Sequence, residues 1–171
     1  DKGSVFLKRD KEIWNWQPRI EKVIKLPASM MMQSWMGSDL TNDDLVKESS
    51  ILNDYTHQIV GDTIIQERAC YSIELTPKPE AAVVWGLIKT FIGKKNYLQL
   101  GSEFYDEDGY LITTMEASDV KYFGTKILPA TMVMTPIEEE GKKTTIHYKS
   151  IEFNIDIQES FFSKQNMKRL H

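Results

Sequence analysis

Alternating apolar and polar side chains dominate this sequence and limit the folds that it can adopt. Between Ala69 and Thr76, for example, every second residue is apolar, and a period of two is the pattern of a half-buried β-strand. The strongest turn signal between such stretches is Asp106-Glu107-Asp108-Gly109, because Asp-Gly readily supplies the positive φ angles of a tight hairpin. The sequence therefore predicts a mainly β fold in which most strands have antiparallel neighbours.

The predicted strands follow one another with short turns, including one at Gly61-Asp62. In chain order they are residues 5–9, 12–16, 20–26, 55–60, 69–76, 83–92, 97–105, 110–116, 127–135 and 143–153. A sheet of this width curls, because neighbouring strands are twisted relative to one another. Its concave face must then be filled by its own side chains, by a covering helix or by a ligand.

Helix signals are few. Thr41, followed by Asn42 and two aspartates, is typical of a helix N-cap and predicts a short helix that ends near Lys47 or Glu48. Residues 159–169 are a second short helical candidate. The sequence has no repeat and no linker, so residues 1–171 are predicted to form one domain.

Composition narrows the classes of function. The formal net charge of −4 disfavours nucleic acid as a partner, because phosphate binding requires a basic surface. The single cysteine, Cys70, excludes an internal disulfide and is expected to be a packed thiol. The longest apolar segment, residues 81–92, is too short and too interrupted for a membrane span. The chain begins at Asp1 without an initiator methionine or a hydrophobic leader, which is typical of a processed or trimmed product.

No reactive constellation is visible. His57, His147 and His171 are far apart in the sequence, and neither a nucleophile elbow nor a phosphate-binding loop occurs. A calcium loop that starts at Asp106 fails, because Tyr110 stands where an oxygen ligand is required. We therefore predict no catalytic residue, no metal site and no cofactor.

One segment points to a binding function. Residues 30–36 read Met-Met-Met-Gln-Ser-Trp-Met, and four methionines in seven residues exceed what a well-specified core normally uses. Methionine is flexible and polarisable, so such a surface can re-pack around apolar shapes. Two roles are compatible with this segment: contact with a ligand or partner, and plain packing in the core.

Several motifs resemble those of one family in the same order along the chain. They are Trp35-Met36-Gly37-Ser38-Asp39 with Thr41-Asn42-Asp43-Asp44-Leu45, then residues 71–78, Val84-Trp85-Gly86, residues 105–109 and residues 162–169. In these motifs the sequence resembles the outer-membrane lipoprotein-sorting proteins, which belong to the LolA/LolB-like superfamily of periplasmic lipoprotein carriers. The resemblance covers nearly the whole chain, and its first motif is fairly specific.

The resemblance implies a curled antiparallel sheet that forms a half-open β-barrel, with short helices as a lid over an apolar cavity. It implies a non-enzymatic periplasmic protein that binds lipoprotein acyl chains or another lipid, passes them to a partner and contacts membranes transiently. Members usually carry an N-terminal helix and early strands ahead of the segment that begins here near Val5, and this chain is expected to lack them.

The candidate cavity and lid residues are Trp14, Trp16, Met30, Met31, Met32, Trp35, Met36, Trp85, Met132, Met134 and Tyr148. Only Trp35, Met36 and Trp85 lie within matched motifs, and the others follow from strand alternation. Residues 35–39 and 41–46 are expected to form the lid and to gate the cavity. An alternative function is a docking module for an inner-membrane transporter of the resistance-nodulation-division type, without a lipid cargo. A hydrolytic enzyme that uses His57 or His147 is the third reading.

Overall fold

Hairpins between strands adjacent in the chain account for most of the architecture in this computed structural model. The structure describes residues 3–9, 12–31, 33–42, 51–81 and 83–170. The strands are β1 (Val5–Arg9), β2 (Glu12–Gln17), β3 (Lys22–Lys25), β4 (Tyr55–Ile65), β5 (Arg68–Pro77), β6 (Leu87–Gly93), β7 (Gln99–Tyr105), β8 (Leu111–Phe123), β9 (Lys126–Pro136) and β10 (Thr144–His147). The helices are α1 (Ile51–Asp54), α2 (Lys164–Met167) and the 3-10 helices Ala28–Met30 and Glu159–Phe162.

The chain divides into two compact units. Unit 1 comprises Asp1–Ser49 and Asn154–His171, and unit 2 comprises Ser50–Phe153. The prediction of a single domain over residues 1–171 stays a prediction.

Unit 1 contains a three-stranded antiparallel meander in the order β1-β2-β3. Leu7 and Trp16 pack with Met167 of α2 in one buried cluster. Ile13 and Leu26 form a second cluster. The short helix α2 is therefore held to the meander mainly by burial of its one apolar side chain, because four residues are too few for a stable isolated helix.

Unit 2 is built on a seven-stranded antiparallel sheet in the order β10-β9-β8-β7-β6-β5-β4. Strands β4 and β10 are its edges, so the sheet is open among the described residues. The register shifts in three strand pairs, next to Gly61, Ile92 and Tyr105, and such bulges bend a strand and increase its twist. The predicted fold class, a mainly β protein with a curled antiparallel sheet and few short helices, is confirmed.

The turn predicted at Gly61-Asp62 is wrong. Strand β4 continues through this position, and Gly61 lies at a register shift against β5, because a glycine inside a strand marks a bulge as readily as a turn. The chain reverses instead at Gln66 and Glu67, whose φ angles are 48° and 62°. Two consecutive positive φ angles characterise a tight type I′ hairpin.

Other predicted boundaries differ in length. Strand β6 begins at Leu87 rather than at residue 83, and β8 continues to Phe123. The last predicted strand, residues 143–153, is reduced to Thr144–His147. The helical candidate at residues 159–169 is confirmed as the second 3-10 helix and α2. The helix predicted after Thr41 falls on residues 43–50, which lie outside the described residues.

None of the helices that the structure describes is long and apolar enough to cross a bilayer.

Candidate functional site

The pairing of β8 with β9 gathers methionines on one face of the seven-stranded sheet. Met115 is directly opposite Met134, and Ala117 is opposite Met132. Residues two apart on a strand share a face, so these four side chains lie together. Met115 and Met134 are 5% and 6% exposed, which makes this part of the face well covered.

The same face continues across β7, β6 and β5. Thr113, two residues before Met115, is opposite Phe104, and Ile88 pairs with both Phe104 and Leu75. Leu75 and Ile88 form a buried cluster with Tyr55, against which Trp85 and Phe104 pack. The rings of Trp85 and Phe104 are 5.3 Å apart between centroids. We call this surface the apolar sheet face; its residues are Tyr55, Leu75, Trp85, Ile88, Phe104, Met115, Ala117, Met132 and Met134.

The apolar sheet face becomes accessible at its β10 margin. Ile146 of β10 pairs with Met132, and the Tyr148 backbone N–H donates to the Ala130 carbonyl at 2.8 Å. This hydrogen bond extends the ladder by one residue and places Tyr148 on the same face as Met132. Met132 is half-buried and Tyr148 is 38% exposed. The apolar sheet face is therefore partly exposed at this margin, whereas it is covered at Met115 and Met134.

Around Lys89 the opposite face of these strands is polar. Lys89 pairs across the sheet with Glu74 and Glu103, and its Nζ is 3.3 Å from a carboxylate oxygen of Glu74. The Tyr105 hydroxyl donates to Glu103 at 2.7 Å. This hydrogen bond, together with burial and the charges of Glu103 and Glu74, raises the pKa of Tyr105 to about 12. Further along the strands this opposite face is apolar as well, since Phe91 packs against the buried cluster of Cys70, Leu98 and Leu100.

The raised pKa gives a test of this arrangement. In the unfolded chain Tyr105 has an ordinary pKa near 10, so the stabilisation is complete below that pH and is lost as the pH rises through about 12. Replacing Glu103 with glutamine removes the acceptor carboxylate and should return the Tyr105 pKa toward its ordinary value. Tyrosinate absorbance measured against a Tyr105→Phe reference follows this one group, and an unchanged titration in Glu103→Gln would refute the contact.

The methionine-rich segment of unit 1 forms a closed loop. Ser34 and Thr41 make an isolated antiparallel bridge, and the Trp35 N–H donates to the Leu40 carbonyl at 2.6 Å. The Asn42 amide donates to the carbonyls of Met30 and Gln33 at 2.9 and 3.2 Å. The Asn42 side chain thus holds the two ends of the loop together. The sequence alone had suggested only that Asn42 is part of a helix cap.

The methionines of this loop differ in exposure. Met31 packs against the Ile13 and Leu26 cluster, whereas Met30 and Met36 are exposed. Met32 lies outside the described residues. Trp35 is half-buried and makes an edge-to-face contact with Phe6, with ring centroids 6.1 Å apart.

The two tryptophans of β2 are packing residues of unit 1. Trp16 is buried with Leu7 and Met167, and Trp14 packs against this cluster. The Lys164 ammonium lies 3.1 Å from the centroid of the Trp14 ring.

Comparison with known proteins places the chain in a family. A family model described as "-like: Uncharacterized protein" matches residues 1–169. The chain belongs to this family. No match is found among the curated proteins.

Solved structures of low sequence identity share the fold. A DUF1329 family protein from Desulfovibrio piger superposes with a TM-score of 0.84 and 21% identity, over 94% of this chain and 66% of that one. A putative outer membrane lipoprotein-sorting protein domain from Vibrio parahaemolyticus superposes with a TM-score of 0.83 and 22% identity, over 98% of this chain and 72% of that one. A LolA superfamily protein from Nitrosomonas europaea superposes with a TM-score of 0.75 and 19% identity, over 95% of this chain and 71% of that one.

The resemblance seen in the sequence is thus confirmed at the level of the fold, which this chain shares with the lipoprotein-sorting domain and the LolA superfamily protein. The chain spans 66% of the Desulfovibrio protein's length, slightly less than two thirds. The names of these proteins describe those proteins alone.

Two of the matched motifs meet in the family fold. The Gly86 N–H donates to the Tyr105 carbonyl at 3.0 Å, which brings Val84-Trp85-Gly86 against the turn that follows Tyr105. In that turn the Asp106 carboxylate accepts from the backbone N–H groups of Asp108 and Tyr110 at 3.0 and 2.8 Å. The acidic residues of this turn therefore act as turn residues, and the described residues contain no group of three or more side chains that could hold a metal ion.

The predicted site residues fall into separate groups. Trp85, Met132, Met134 and Tyr148 belong to the apolar sheet face and its margin in unit 2. Trp14, Trp16, Met30, Met31, Trp35 and Met36 belong to unit 1. Their common role as cavity and lid residues stays a prediction.

Sequence reasoning missed residues that belong to the face. Extending the alternation of β8 and β9 would have added Met115 and Ala117 as partners of Met134 and Met132. Leu75, Ile88 and Phe104 were recognisable as strand residues, but their pairing depends on a register that the sequence does not show.

Proposed function

We propose that this protein is a non-enzymatic periplasmic carrier that binds lipoprotein acyl chains, or another lipid, on the apolar sheet face and passes them to a partner. The observation that carries the proposal is the run of apolar residues on this face from Leu75 to Met132 across five strands of an open sheet, with only the small polar residues Thr90, Ser102 and Thr113 among them. The fold shared with proteins named for LolA and lipoprotein sorting supports it.

The free energy of such binding is adequate. Burying an acyl chain gains roughly 0.8 kcal/mol per methylene, so about a dozen carbons give several kcal/mol after the costs of ordering. Because Met115, Met132 and Met134 are unbranched and polarisable, they can re-pack around an inserted chain at small cost. No catalytic group is needed for this task.

Entry is proposed at the β10 margin. Met115 and Met134 are buried, so a ligand must displace them or first bind beside Met132 and Tyr148. Release then requires a partner with a better site or a second conformation with lower affinity. The methionine-rich loop remains the predicted gate for that step.

A pair of neighbouring substitutions tests the face. Met132→Ser removes an apolar contact from the accessible margin and should weaken binding of a fluorescent acyl-chain probe about tenfold, from a loss of roughly 1–1.5 kcal/mol. The matched control is Val133→Ser, because Val133 is equally half-buried on the same strand but lies on the opposite face. Titration of the probe against each variant gives the two dissociation constants.

The result that contradicts the assignment is equal weakening by both substitutions, or by neither. Urea unfolding of both variants shows whether a loss of binding reflects a loss of fold.

A further inference from the structure

A groove in unit 1 has a charge opposite to that of the whole chain. Its volume is about 470 Å³, and it is lined by Glu21, Lys22, Val23, Ile24, Lys164, Gln165 and Lys168. Three ammonium groups and one carboxylate give it a formal charge of +2, whereas the chain carries −4. We call it the cationic groove.

Packing, helix-capping and cation–π contacts hold the residues of the cationic groove in place. Burial of Met167 fixes α2 against β1 and β2, and the Ser163 hydroxyl accepts from the Asn166 N–H at 3.3 Å to cap this helix. The ammonium groups of Lys164 and Lys168 lie 3.1 and 5.6 Å from the rings of Trp14 and Trp16. Such cation–π contacts orient a lysine while leaving its charge available.

The described residues offset the charges of the groove only in part. Lys22, Lys164 and Lys168 make no ion pair with the described residues, whereas Lys25 next to the groove pairs with Glu12. The hydrogen bond from Lys25 and, to a smaller extent, the charge of Lys164 lower the pKa of Glu12, so this ionised carboxylate also attracts Lys164. An anionic partner therefore meets three lysines, with Glu21 as the one carboxylate that lines the groove.

Exposed aliphatic residues accompany the lysines. Ile24 lines the groove. Ile20 is exposed in the turn before β3, and Leu170 is exposed after α2. Lysine is depleted at protein–protein interfaces, where aromatic residues and arginine are enriched. Lysines beside aliphatic side chains are instead typical of surfaces that lie on a bilayer, where the ammonium groups meet phosphates and the aliphatic groups enter the interface.

The geometry points to the cationic groove as the surface by which this protein docks on a bilayer that contains anionic phospholipid. The inference concerns where the protein meets a membrane and does not depend on the cargo of the apolar sheet face. Each lysine near an anionic surface contributes roughly a fivefold increase in partitioning, so three lysines contribute about 100-fold.

Vesicle co-sedimentation tests the inference. We expect the wild type to bind vesicles of phosphatidylcholine mixed with phosphatidylglycerol, to bind poorly to phosphatidylcholine alone, and to be released by added salt. The triple variant Lys22→Gln, Lys164→Gln, Lys168→Gln should lose about 100-fold in partitioning. The control Lys95→Gln, Lys143→Gln, Lys149→Gln makes the same change of net charge at exposed lysines of unit 2 and should bind nearly as the wild type does.

Three results would overturn the inference. They are no binding to anionic vesicles, equal loss in both triple variants, and salt-dependent capture by immobilised polyglutamate without vesicle binding, which would indicate an acidic protein partner. Binding of the acyl-chain probe by the groove variant is measured in parallel. Because the groove and the apolar sheet face have separate readouts, failure of one assignment is distinguishable from failure of the other.

Discussion

Gly86→Ala should destabilise this protein by about 3 kcal/mol, on the scale of a steric overlap that side chains cannot relieve. A Cβ at this position would lie 2.4 Å from the Asp106 carbonyl oxygen and 2.7 Å from the Glu107 Cα. Both are backbone atoms of the turn between β7 and β8. That turn is held by its own hydrogen bonds to the Asp106 carboxylate, so it cannot move away cheaply.

Urea unfolding measures the effect, and Gly61→Ala is the matched control. Gly61 lies in β4 with no atom within 4 Å of the added Cβ and without a positive φ, so its substitution should change the unfolding free energy by less than about 0.5 kcal/mol. Because Trp85 precedes Gly86 and packs on the apolar sheet face, probe binding should fall in Gly86→Ala as well. A Gly86→Ala protein as stable as the wild type would show that the two motifs are not in contact.

Asn42→Ala should loosen the methionine-rich loop and cost about 2 kcal/mol, because it removes the two hydrogen bonds made by a buried side-chain amide. Asn42 is 5% exposed, and its amide holds the carbonyls of Met30 and Gln33. Backbone hydrogen exchange should become faster at Trp35, whose N–H donates to Leu40 across the loop. Exchange mass spectrometry of residues 30–42 detects this change.

Gln33→Ala is the control for the loop, since Gln33 is exposed in the same segment and its substitution leaves the Asn42 contacts in place. If the loop gates the lipid site, Asn42→Ala should also release a bound acyl probe faster than Gln33→Ala does. Equal exchange protection in the two variants would mean that Asn42 does not tie the loop.

Local chemistry explains which parts of the fold were predictable. The hairpin at residues 106–109 follows from Asp-Gly, and Gly109 has a φ of 83°. The hairpin at Gln66 and Glu67 was missed, because neither residue favours a positive φ and only the pairing of β4 with β5 imposes it. Gly61 was misread, because its sequence neighbours do not distinguish a turn from a bulge.

The residues of the candidate site were likewise predictable only in part. Alternation along β9 placed Met132 and Met134 on one face, and the structure agrees. It also placed Trp16 among the candidates, but Trp16 packs with Met167, a residue 151 positions away that no local pattern connects to it. Asn42 looked like part of a helix cap, because the carbonyls that it binds lie earlier in the chain.

A lipid carrier needs room for an acyl chain between the apolar side chains of its strands and the residues that cover them. Native mass spectrometry of gently purified wild-type protein tests this directly. We predict a bound mass of a lipid or acyl chain that is displaced by the fluorescent probe and is reduced in Met132→Ser. A clean mass of the unliganded chain, with no saturable probe binding, would contradict the carrier and favour a docking module without cargo.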